Sequence, residues 1–432
     1  MMKSLPDLPV ELQSLICGHC TPETLASLCL TSKHFLTITR PALYRHVTIH
    51  YRGRTPGEPP QSQEEVQDTY VLSDASYERF RATVVNCPPV FGSLVKSLEL
   101  GNHFMDRRRF NSKGSILESL GSLLSVLPNL ARLKIWILRP DDELDKALFY
   151  ASPSLRAFSA ISWAHITPDF LAFLQSHPQL REWHARWIND GTISPEGKAS
   201  ATVPQIVLER ITMFATSLHP RPLMLLGQMK NLTHLCLRHY SPTNLRGQRH
   251  ITITDELQRS ELNALRGCGR NLVSLDLSDV PISWGSPIPW TVNQVLPLTP
   301  ALRYLRVGQD YVREDKPGSA LLQAPFTREP LKRELFTAKP ATLPQNLRLM
   351  VVDLQKSKRV RFGPVRREYP GSATLLRTGL KDAMLLGSLM SSLEEFGCYC
   401  YLLRRVGEEW LDDPGAPRRS DDDWGAGGIG FD

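Results

Sequence analysis

The chain has 432 residues, 41% of them hydrophobic, and its 51 basic and 44 acidic residues give a formal charge of +7. This length exceeds one ordinary core and predicts several domains or a repeat array, while the small charge excess does not indicate a nucleic-acid binder. The sequence contains no run of 18 apolar residues that would predict a membrane-spanning helix. Its opening stretch, MMKSLPDLPVELQS, carries acidic residues and prolines where a secretory signal has an apolar run. We therefore expect a cytosolic or nuclear protein whose eight scattered cysteines are reduced.

The first fifty residues predict three short helices. Pro9 is suited to the first turn of one helix and Gly18 to its end, and Thr21 followed by Pro22 predicts the start of the next. The apolar residues of the first helix recur at helical spacing: Leu8, Leu12, Leu15 and Ile16. Those of the second helix are Leu25, Leu28 and Cys29. A unit this small buries little surface alone, so we expect another molecule or domain to cover part of it.

The third helix is predicted to begin after Thr31 or Ser32 and to carry Phe35, and Pro41 is expected to break it. The segment ALYRHVTIHY then predicts a helical turn and an alternating strand.

The ordered set of these residues resembles the F-box motif. The matching points are Leu8-Pro9-x-Glu11-Leu12, Ile16, Leu25 with Leu28, Ser32-Lys33-x-Phe35, and Pro41-x-Leu43-Tyr44-Arg45. Thr31 stands where the motif usually has valine, which is a mild departure. The resemblance implies binding to the Skp-family adaptor of cullin-RING ubiquitin ligases and, through it, to cullin. The residues implied as adaptor-binding are Leu8, Pro9, Leu12, Ile16, Leu25, Leu28 and Phe35; some of these would face the adaptor and others the interior of the helical trio.

The sequence CGHC at residues 17–20 has the spacing of a dithiol redox centre, so a dithiol oxidoreductase using Cys17 and Cys20 is an alternative function. Against it, the predicted helix places Cys17 at its C-terminal end, where the helix dipole disfavours a thiolate. Structural zinc needs four ligands, and Cys17, His19 and Cys20 supply only three.

A pattern L-x-x-L-x-L recurs through the rest of the chain and predicts a repeat array. The copies are Val95/Leu98/Leu100, Leu130/Leu133/Ile135, Leu155/Phe158/Ala160, Leu180/Trp183/Ala185, Leu208/Ile211/Met213, Leu232/Leu235/Leu237, Leu272/Leu275/Leu277, Leu302/Leu305/Val307, Leu347/Met350/Val352 and Leu393/Phe396/Cys398. In the central run the first positions lie about 24–28 residues apart, which fits a leucine-rich repeat. Amphipathic segments between the copies predict one helix per strand, with the fourth and sixth positions of each copy pointing inward.

These repeats resemble those of the leucine-rich-repeat members of the F-box family, especially the divergent fungal type. The predicted fold class is α/β, with an N-terminal three-helix F-box followed by a curved leucine-rich-repeat solenoid whose parallel strands line the concave face. We expect the F-box at residues 1–50, a loop and capping helix at 51–92, and the solenoid at 93–405. We also expect an insertion near 308–345 and a flexible tail at 406–432.

The third, fifth and seventh positions of each copy are predicted to be exposed on the concave face. They include four residues of the types that dominate binding hot spots, and these are the candidate substrate-binding residues: Trp136, Arg186, Arg238 and Arg306. Their chemistry suits an acidic or phosphorylated segment. The basic run KSKRVRFGPVRR at 356–367 is compatible with a nuclear-import signal or a polyanion patch, but a solvated loop or an edge strand is the favoured interpretation.

No catalytic motif of the types G-x-S-x-G, G-x-x-x-x-G-K-[ST] or H-E-x-x-H occurs, so neither an enzyme nor a cofactor or metal site is predicted. The favoured function is substrate recognition in an SCF-type ubiquitin ligase, with an unknown protein substrate and neither membrane nor nucleic acid as partner. A repeat scaffold acting outside the ligase remains an alternative.

Overall fold

The structure is a computed structural model. It describes residues 8–49, 77–100, 115–135, 146–160, 168–185, 203–217, 225–238, 255–277, 287–310, 331–355, 372–398 and 401–412. The chain divides into two compact units. The first comprises residues 1–183 with 191–207, and the second comprises 184–190 with 208–432.

Three helices open the first unit: α1 (Val10–Gly18), α2 (Pro22–Thr31) and α3 (Lys33–Arg45). Two of the predicted helix starts are confirmed. The hydroxyl of Thr21 accepts a hydrogen bond from the Thr24 amide at 3.3 Å, and the hydroxyl of Ser32 accepts one from the Phe35 amide at 3.2 Å. The side-chain oxygens therefore satisfy amides that each new helix leaves without an internal partner.

The prediction that Pro41 breaks the third helix is wrong. α3 continues through Pro41 to Arg45, although the proline cannot donate a backbone hydrogen bond. Aromatic packing holds its last turns, since the Tyr44 ring lies 4.9 Å from that of Phe91 and the Arg40 guanidinium lies 5.4 Å above the same ring. This packing offsets the lost hydrogen bond.

The sheet begins directly where the third helix ends. β1 (His46–Ile49) follows Arg45 without a linker and pairs in parallel with β2 (Ser97–Leu100). The sheet therefore starts within the range predicted for the F-box alone, earlier than the predicted solenoid boundary at residue 93. The predicted connecting helix forms at residues 77–86, labelled α4, and buries Tyr77 and Val84.

Parallel strands follow in chain order through the first unit, with helices between them. The remaining strands are β3 (Arg132–Ile135), β4 (Ala157–Ala160) and β5 (Glu182–Ala185), whose last two residues are assigned to the second unit. The helices are α5 (Ser115–Ser125), α6 (Pro168–Ser176) and α7 (Gln205–Arg210), and the last three residues of α7 are assigned to the second unit. β2 pairs with β3 and β3 with β4, both in parallel, as the repeat predicts.

The second unit continues the strand-and-helix alternation. Its strands are β6 (Met213–Ser217), β7 (His234–Arg238), β8 (Ser274–Leu277), β9 (Tyr304–Asp310), β10 (Leu349–Gln355), β11 (Glu395–Cys398), β12 (Tyr401–Val406) and β13 (Glu409–Asp412). Its helices are α8 (Asp255–Cys268), α9 (Pro287–Trp290) and α10 (Ser372–Leu389). Strands β6 to β11 pair in parallel with their chain neighbours, whereas β12 and β13 are antiparallel. Gly407 makes the turn between these last two strands with φ of +66°, which favours glycine. N-terminal helices followed by parallel strands confirm the predicted α/β class.

The apolar positions of the repeat form the core. The fourth-position residues Leu98, Leu133 and Phe158 are at most 1% exposed. The first-position leucines Leu130 and Leu155 are buried to the same degree. The same holds in the second unit for Leu235, Leu275 and Leu305, none of which exceeds 2% exposure. Stacking of neighbouring strands therefore buries what a single repeat leaves open.

One copy of the repeat was placed in the wrong register. Met213 pairs with His234 and Phe214 with Leu235, so Phe214 occupies the inward fourth position and Ile211 the first. The predicted copy Leu208/Ile211/Met213 therefore lies three residues too early. Leu208 belongs to α7 and is buried as a helical residue, which explains why its leucine matched the pattern.

Two predicted segment boundaries differ from those in the structure. Residues 308–310, predicted to open the insertion, form the end of β9. β13 at Glu409–Asp412 lies in the range predicted as a flexible tail, and its Trp410 is buried. Among the described helices none is long and apolar enough to cross a bilayer.

Candidate functional site: the apolar surface of the helical trio

Helices α1 and α2 expose large apolar side chains. On α1, Leu12 is 46% exposed, Leu15 62% and Ile16 39%, and on α2 Leu30 is 89% exposed. Val10, at the first position of α1, is also exposed. We call Val10, Leu12, Leu15, Ile16 and Leu30 the apolar surface of the trio. This number of exposed apolar residues on three short helices makes the trio the candidate binding site among the described residues.

The interior of the trio is partly polar, which explains why the leucines of α1 face outward. The residues of α1 that point inward are Gln13 and Cys17, each 1% exposed. The Gln13 amide donates to the Leu8 carbonyl at 2.6 Å, and its oxygen lies 2.9 Å from Nε2 of His34 on α3. Because these contacts fix the rotation of α1, the predicted apolar stripe lies on its opposite side.

The structure divides the seven predicted adaptor-binding residues by exposure. Leu25 and Phe35 are buried, and Leu8 and Leu28 are half-buried. Pro9, Leu12 and Ile16 are exposed. The exposed group is available to a partner, whereas Leu25 and Phe35 hold the three helices together.

Three members of the apolar surface were missing from the predicted set. Leu15 belongs to the predicted apolar stripe of α1, whereas the sequence pattern did not indicate Val10 or Leu30. On a helical wheel of residues 22–31, Leu30 lies on a different side of α2 from the buried Leu25. This position in the helix could have predicted that Leu30 is exposed.

Cys17 lies in the last turn of α1, as predicted, and Cys20 follows the end of the helix. Burial raises the pKa of the Cys17 thiol, and the neighbouring thiols of Cys20 and Cys29 raise it further. The Cys20 thiol donates to the carbonyl of Ile16 at 3.4 Å. A redox-active CxxC needs a first thiol with a lowered pKa, so this geometry is opposed to dithiol chemistry.

The candidate substrate-binding residues are placed unevenly. Trp136 and Arg186 lie outside the described residues, and for Arg238 the structure describes only the backbone, in β7. Arg306 was predicted to be exposed, and this is wrong: it is 7% exposed, and its Nη1 lies 3.8 Å from the buried Asp276 carboxylate. The thiol of Cys236 reaches the same carboxylate at 3.5 Å. Since strand register places these three residues in one row, the paired charges are part of a packed layer.

The sheet of the first unit carries paired charges at the corresponding positions. Lys134 Nζ lies 2.9 Å from the Glu99 carboxylate, and Arg132 lies 3.6 Å from that of Glu182. Burial raises the pKa of Glu182, while Arg132 acts in the opposite direction. These pairs balance the charge at the third and fifth positions.

No group of three or more His, Cys, Asp or Glu side chains in the described ranges is arranged to hold a metal ion. The basic run 356–367 lies outside those ranges.

Residues 5–50 match the family described as F-box-like, and they form an F-box-like domain. No match is found among curated proteins. Among solved structures, the chain is similar to the leucine-rich repeat-containing protein LegL7 from Legionella pneumophila, with 14% identity and a TM-score of 0.41 over 73% of this chain and 87% of that one. It is also similar to TLR13 in a complex with ssRNA13, with 13% identity and a TM-score of 0.31 over 71% of this chain and 40% of that one.

Proposed function

We propose that this chain is the substrate-recognition subunit of an SCF-type cullin-RING ubiquitin ligase. In this proposal the F-box-like domain binds a Skp-family adaptor and the repeats bind a target protein. The observation that carries it is the apolar surface of the trio, which lies on the one segment of the chain that matches the F-box-like family.

Adaptor binding would cover side chains that the chain itself leaves in water. Full burial of a leucine or isoleucine side chain contributes about 1.5–3 kcal/mol, so removing several from water gives a useful affinity even after association costs. Leu12, Leu15 and Ile16 lie within two turns of α1, and a complementary groove can contact all three.

The mechanism in this proposal is positional. The chain makes and breaks no bonds itself but holds a target near the ubiquitin-loaded enzyme, which raises the effective concentration of the target's lysines. The join between the domains suits this role, because β1 follows α3 without a linker and the Lys96 amide donates to the Arg45 carbonyl at 3.0 Å. A bound adaptor and the first strands would therefore be held in a fixed relation.

The test is capture of a purified Skp-family adaptor by the full-length chain carrying Leu12→Asp and Ile16→Asp. We expect capture to be lost, because each change places a carboxylate in an apolar contact. The matched control is the full-length chain with Ser14→Asp and His19→Asp, two exposed residues in or beside the same helix, which should capture the adaptor normally.

Two outcomes would overturn the proposal. If the wild-type chain captures no adaptor, the repeat scaffold acting outside a ligase is favoured. If the Leu12 and Ile16 variant captures it as well as the control does, the adaptor binds elsewhere. The dithiol alternative is tested separately by insulin reduction, for which we expect no activity above that of a Cys17→Ser, Cys20→Ser variant.

A further inference from the structure

The solvent-facing side of α10 carries positive charge and an exposed methionine. Arg377, Lys381, Met384 and Ser388 are all exposed, and Met384 is 62% exposed. Successive members of this set are four, three and four residues apart, a spacing that places them on one side of the helix. We call these four residues the stripe of α10.

The charge on α10 sets it apart from the other repeat helices labelled above. Each of those that carries a basic residue also carries an acidic one. The acidic residue of α10, Asp382, is buried, and its carboxylate accepts a hydrogen bond from the Leu331 amide at 2.7 Å. No ion pair within the described ranges involves Arg377 or Lys381. The stripe therefore presents two cations with no exposed carboxylate of the same helix beside them.

A cleft of about 300 Å³ opens where the stripe ends. Its floor is apolar and consists of Leu343, Leu389 and Met390, each at most 6% exposed. Ser388 and Ser391 are exposed at its rim. A concave site with an apolar floor and hydroxyl groups at the rim suits an aromatic ring that carries one polar group.

The chain that follows β13 begins beside this surface. Trp410 of β13 packs against α10, since a Cβ atom added at Gly387 would lie 3.1 Å from its ring. Gly387 comes three residues after Met384, so Trp410 flanks the stripe. The described residues end two positions later, at Asp412. The sequence beyond it contains Ser420-Asp421-Asp422-Asp423-Trp424.

We propose that residues 420–424 dock on α10, with aspartates at Arg377 and Lys381 and the Trp424 indole in the cleft. The charges of the two sides are opposite, and carboxylates on lysine or arginine make charge-assisted hydrogen bonds. The indole is a large apolar ring with a single N–H donor, which the hydroxyl groups at the rim of the cleft can accept. The exposed Met384 thioether would contact the same ring.

The dimensions of the segment and the stripe agree. Seven residues of helix separate Lys381 from Ser388 and rise about 10 Å. Three residues of extended chain separate Asp421 from Trp424 and also span about 10 Å. One aspartate can therefore lie at Lys381 while the indole enters the cleft.

The connection from β13 is long enough for this contact. Nine residues from Asp412 to Asp421 reach up to about 30 Å. Ten residues of helix from Gly387 back to Arg377 rise only about 15 Å. A tether of this kind gives a high effective concentration at α10, so a contact too small to hold a separate protein suffices within one chain.

The test uses the full-length chain and a carbodiimide, which couples a carboxylate to an amine where the two are in contact. We expect the aspartates of residues 421–423 to be coupled to Nζ of Lys381, and mass spectrometry of the digest identifies the joined peptides. The pair of Lys134 Nζ and the Glu99 carboxylate, 2.9 Å apart, is the internal reference for each yield. The Lys381 yield should fall at high salt, where charges are screened.

Two pairs of variants test the two halves of the contact. Arg377→Gln should lower the Lys381 yield at least about threefold, because it removes one of two cations, whereas the exposed Arg270→Gln of the same unit should leave it within about 1.5-fold. Trp424→Ala should also lower it at least about threefold by removing the aromatic anchor, whereas Phe431→Ala, outside the segment, should leave it within about 1.5-fold.

Oxidation of Met384 by hydrogen peroxide is a readout that does not depend on the coupling reaction. The docked segment would shield the Met384 thioether from solvent. Trp424→Ala should therefore raise the rate of sulfoxide formation at Met384 at least about twofold, whereas Phe431→Ala should leave it unchanged. Peptide mass spectrometry follows both rates.

A mixture of isotope-labelled and unlabelled chains distinguishes docking within one chain from docking between copies. Products that join a labelled peptide to an unlabelled one would assign the contact to a second copy and overturn the inference. Absence of the Lys381 product at low salt, equal yields in the Arg377 and Arg270 variants, or an unchanged oxidation rate in the Trp424 variant would also overturn it. The proposed function is tested by adaptor capture through the trio, so failure of this inference is distinguishable from failure of that proposal.

Discussion

The helical trio and the repeat strands differ in which residue types they bury and which they expose. In the strands, leucines such as Leu98 and Leu133 are buried and charged residues pair with each other, whereas α1 buries Gln13 and exposes Leu12 and Leu15. A repeat has a neighbour of the same chain to cover its apolar residues. Among the described residues none covers the outer side of α1, and its exposed apolar residues are what support the proposed adaptor binding.

The largest effect is expected where the repeats bury charge. Arg306→Ala removes one partner of the buried pair and leaves Asp276 in the layer, so the free energy of unfolding should fall by about 3–5 kcal/mol. The exposed Arg303→Ala, from the same strand region, should change it by less than about 0.5 kcal/mol. Urea denaturation of both variants measures the difference, and equal stabilities would show that Arg306 is not packed as described.

The next effect compares two leucines directly. Leu133→Ala should lower the free energy of unfolding by about 2–5 kcal/mol, because it opens a cavity in the stacked core. Leu15→Ala should cost less than about 0.5 kcal/mol, because this side chain already faces water. Thermal denaturation of the free chain distinguishes them. A large loss for Leu15→Ala would mean that the outer side of α1 is covered by the chain itself.

A smaller effect is expected at the start of α3. Ser32→Ala removes the hydroxyl that accepts from the Phe35 amide, and it should cost about 1 kcal/mol. The exposed Ser14→Ala, in the body of α1, is the control and should be close to neutral. Hydrogen exchange of the first α3 amides gives a local readout, and unchanged protection of the Phe35 amide would contradict the cap.

The smallest effect is chemical. Burial raises the pKa of the Cys17 thiol. At neutral pH, Cys17 is therefore ionised to thiolate in a smaller fraction of molecules than a solvent-exposed cysteine would be. Alkylation of Cys17 by iodoacetamide should therefore be slower than that of the exposed Cys87, and it should accelerate at higher pH. Mass spectrometry of each peptide measures both rates. Faster reaction of Cys17 at neutral pH would restore the dithiol alternative.

Local signals in the sequence predicted the parts of the fold that local interactions determine. The caps at Thr21 and Ser32 follow from side-chain chemistry within a few residues, and α1 ends at Gly18, the residue that the sequence predicted for its end. The repeat pattern likewise located most strands, because a first-position leucine and its fourth-position partner are buried together in every well-formed copy.

Tertiary contacts explain what the sequence did not predict. Packing on Phe91 carries α3 through Pro41, and the register of β6 against β7 shifts one copy from Leu208 to Ile211. Burial of Arg306 depends on Asp276 in the adjacent strand, about thirty residues away, which no periodic pattern records. The candidate site shows the same limit, since the apolar residues of α1 were identified but their outward direction depends on the contact of Gln13 with His34.

The most direct measurement of the central claim is calorimetric titration of the full-length chain with a purified Skp-family adaptor. The account predicts a one-to-one complex with a negative heat-capacity change, the mark of apolar burial, and loss of binding when Leu12 and Ile16 are both changed to aspartate. A complex that forms without a heat-capacity change, or that survives those two substitutions, would contradict it.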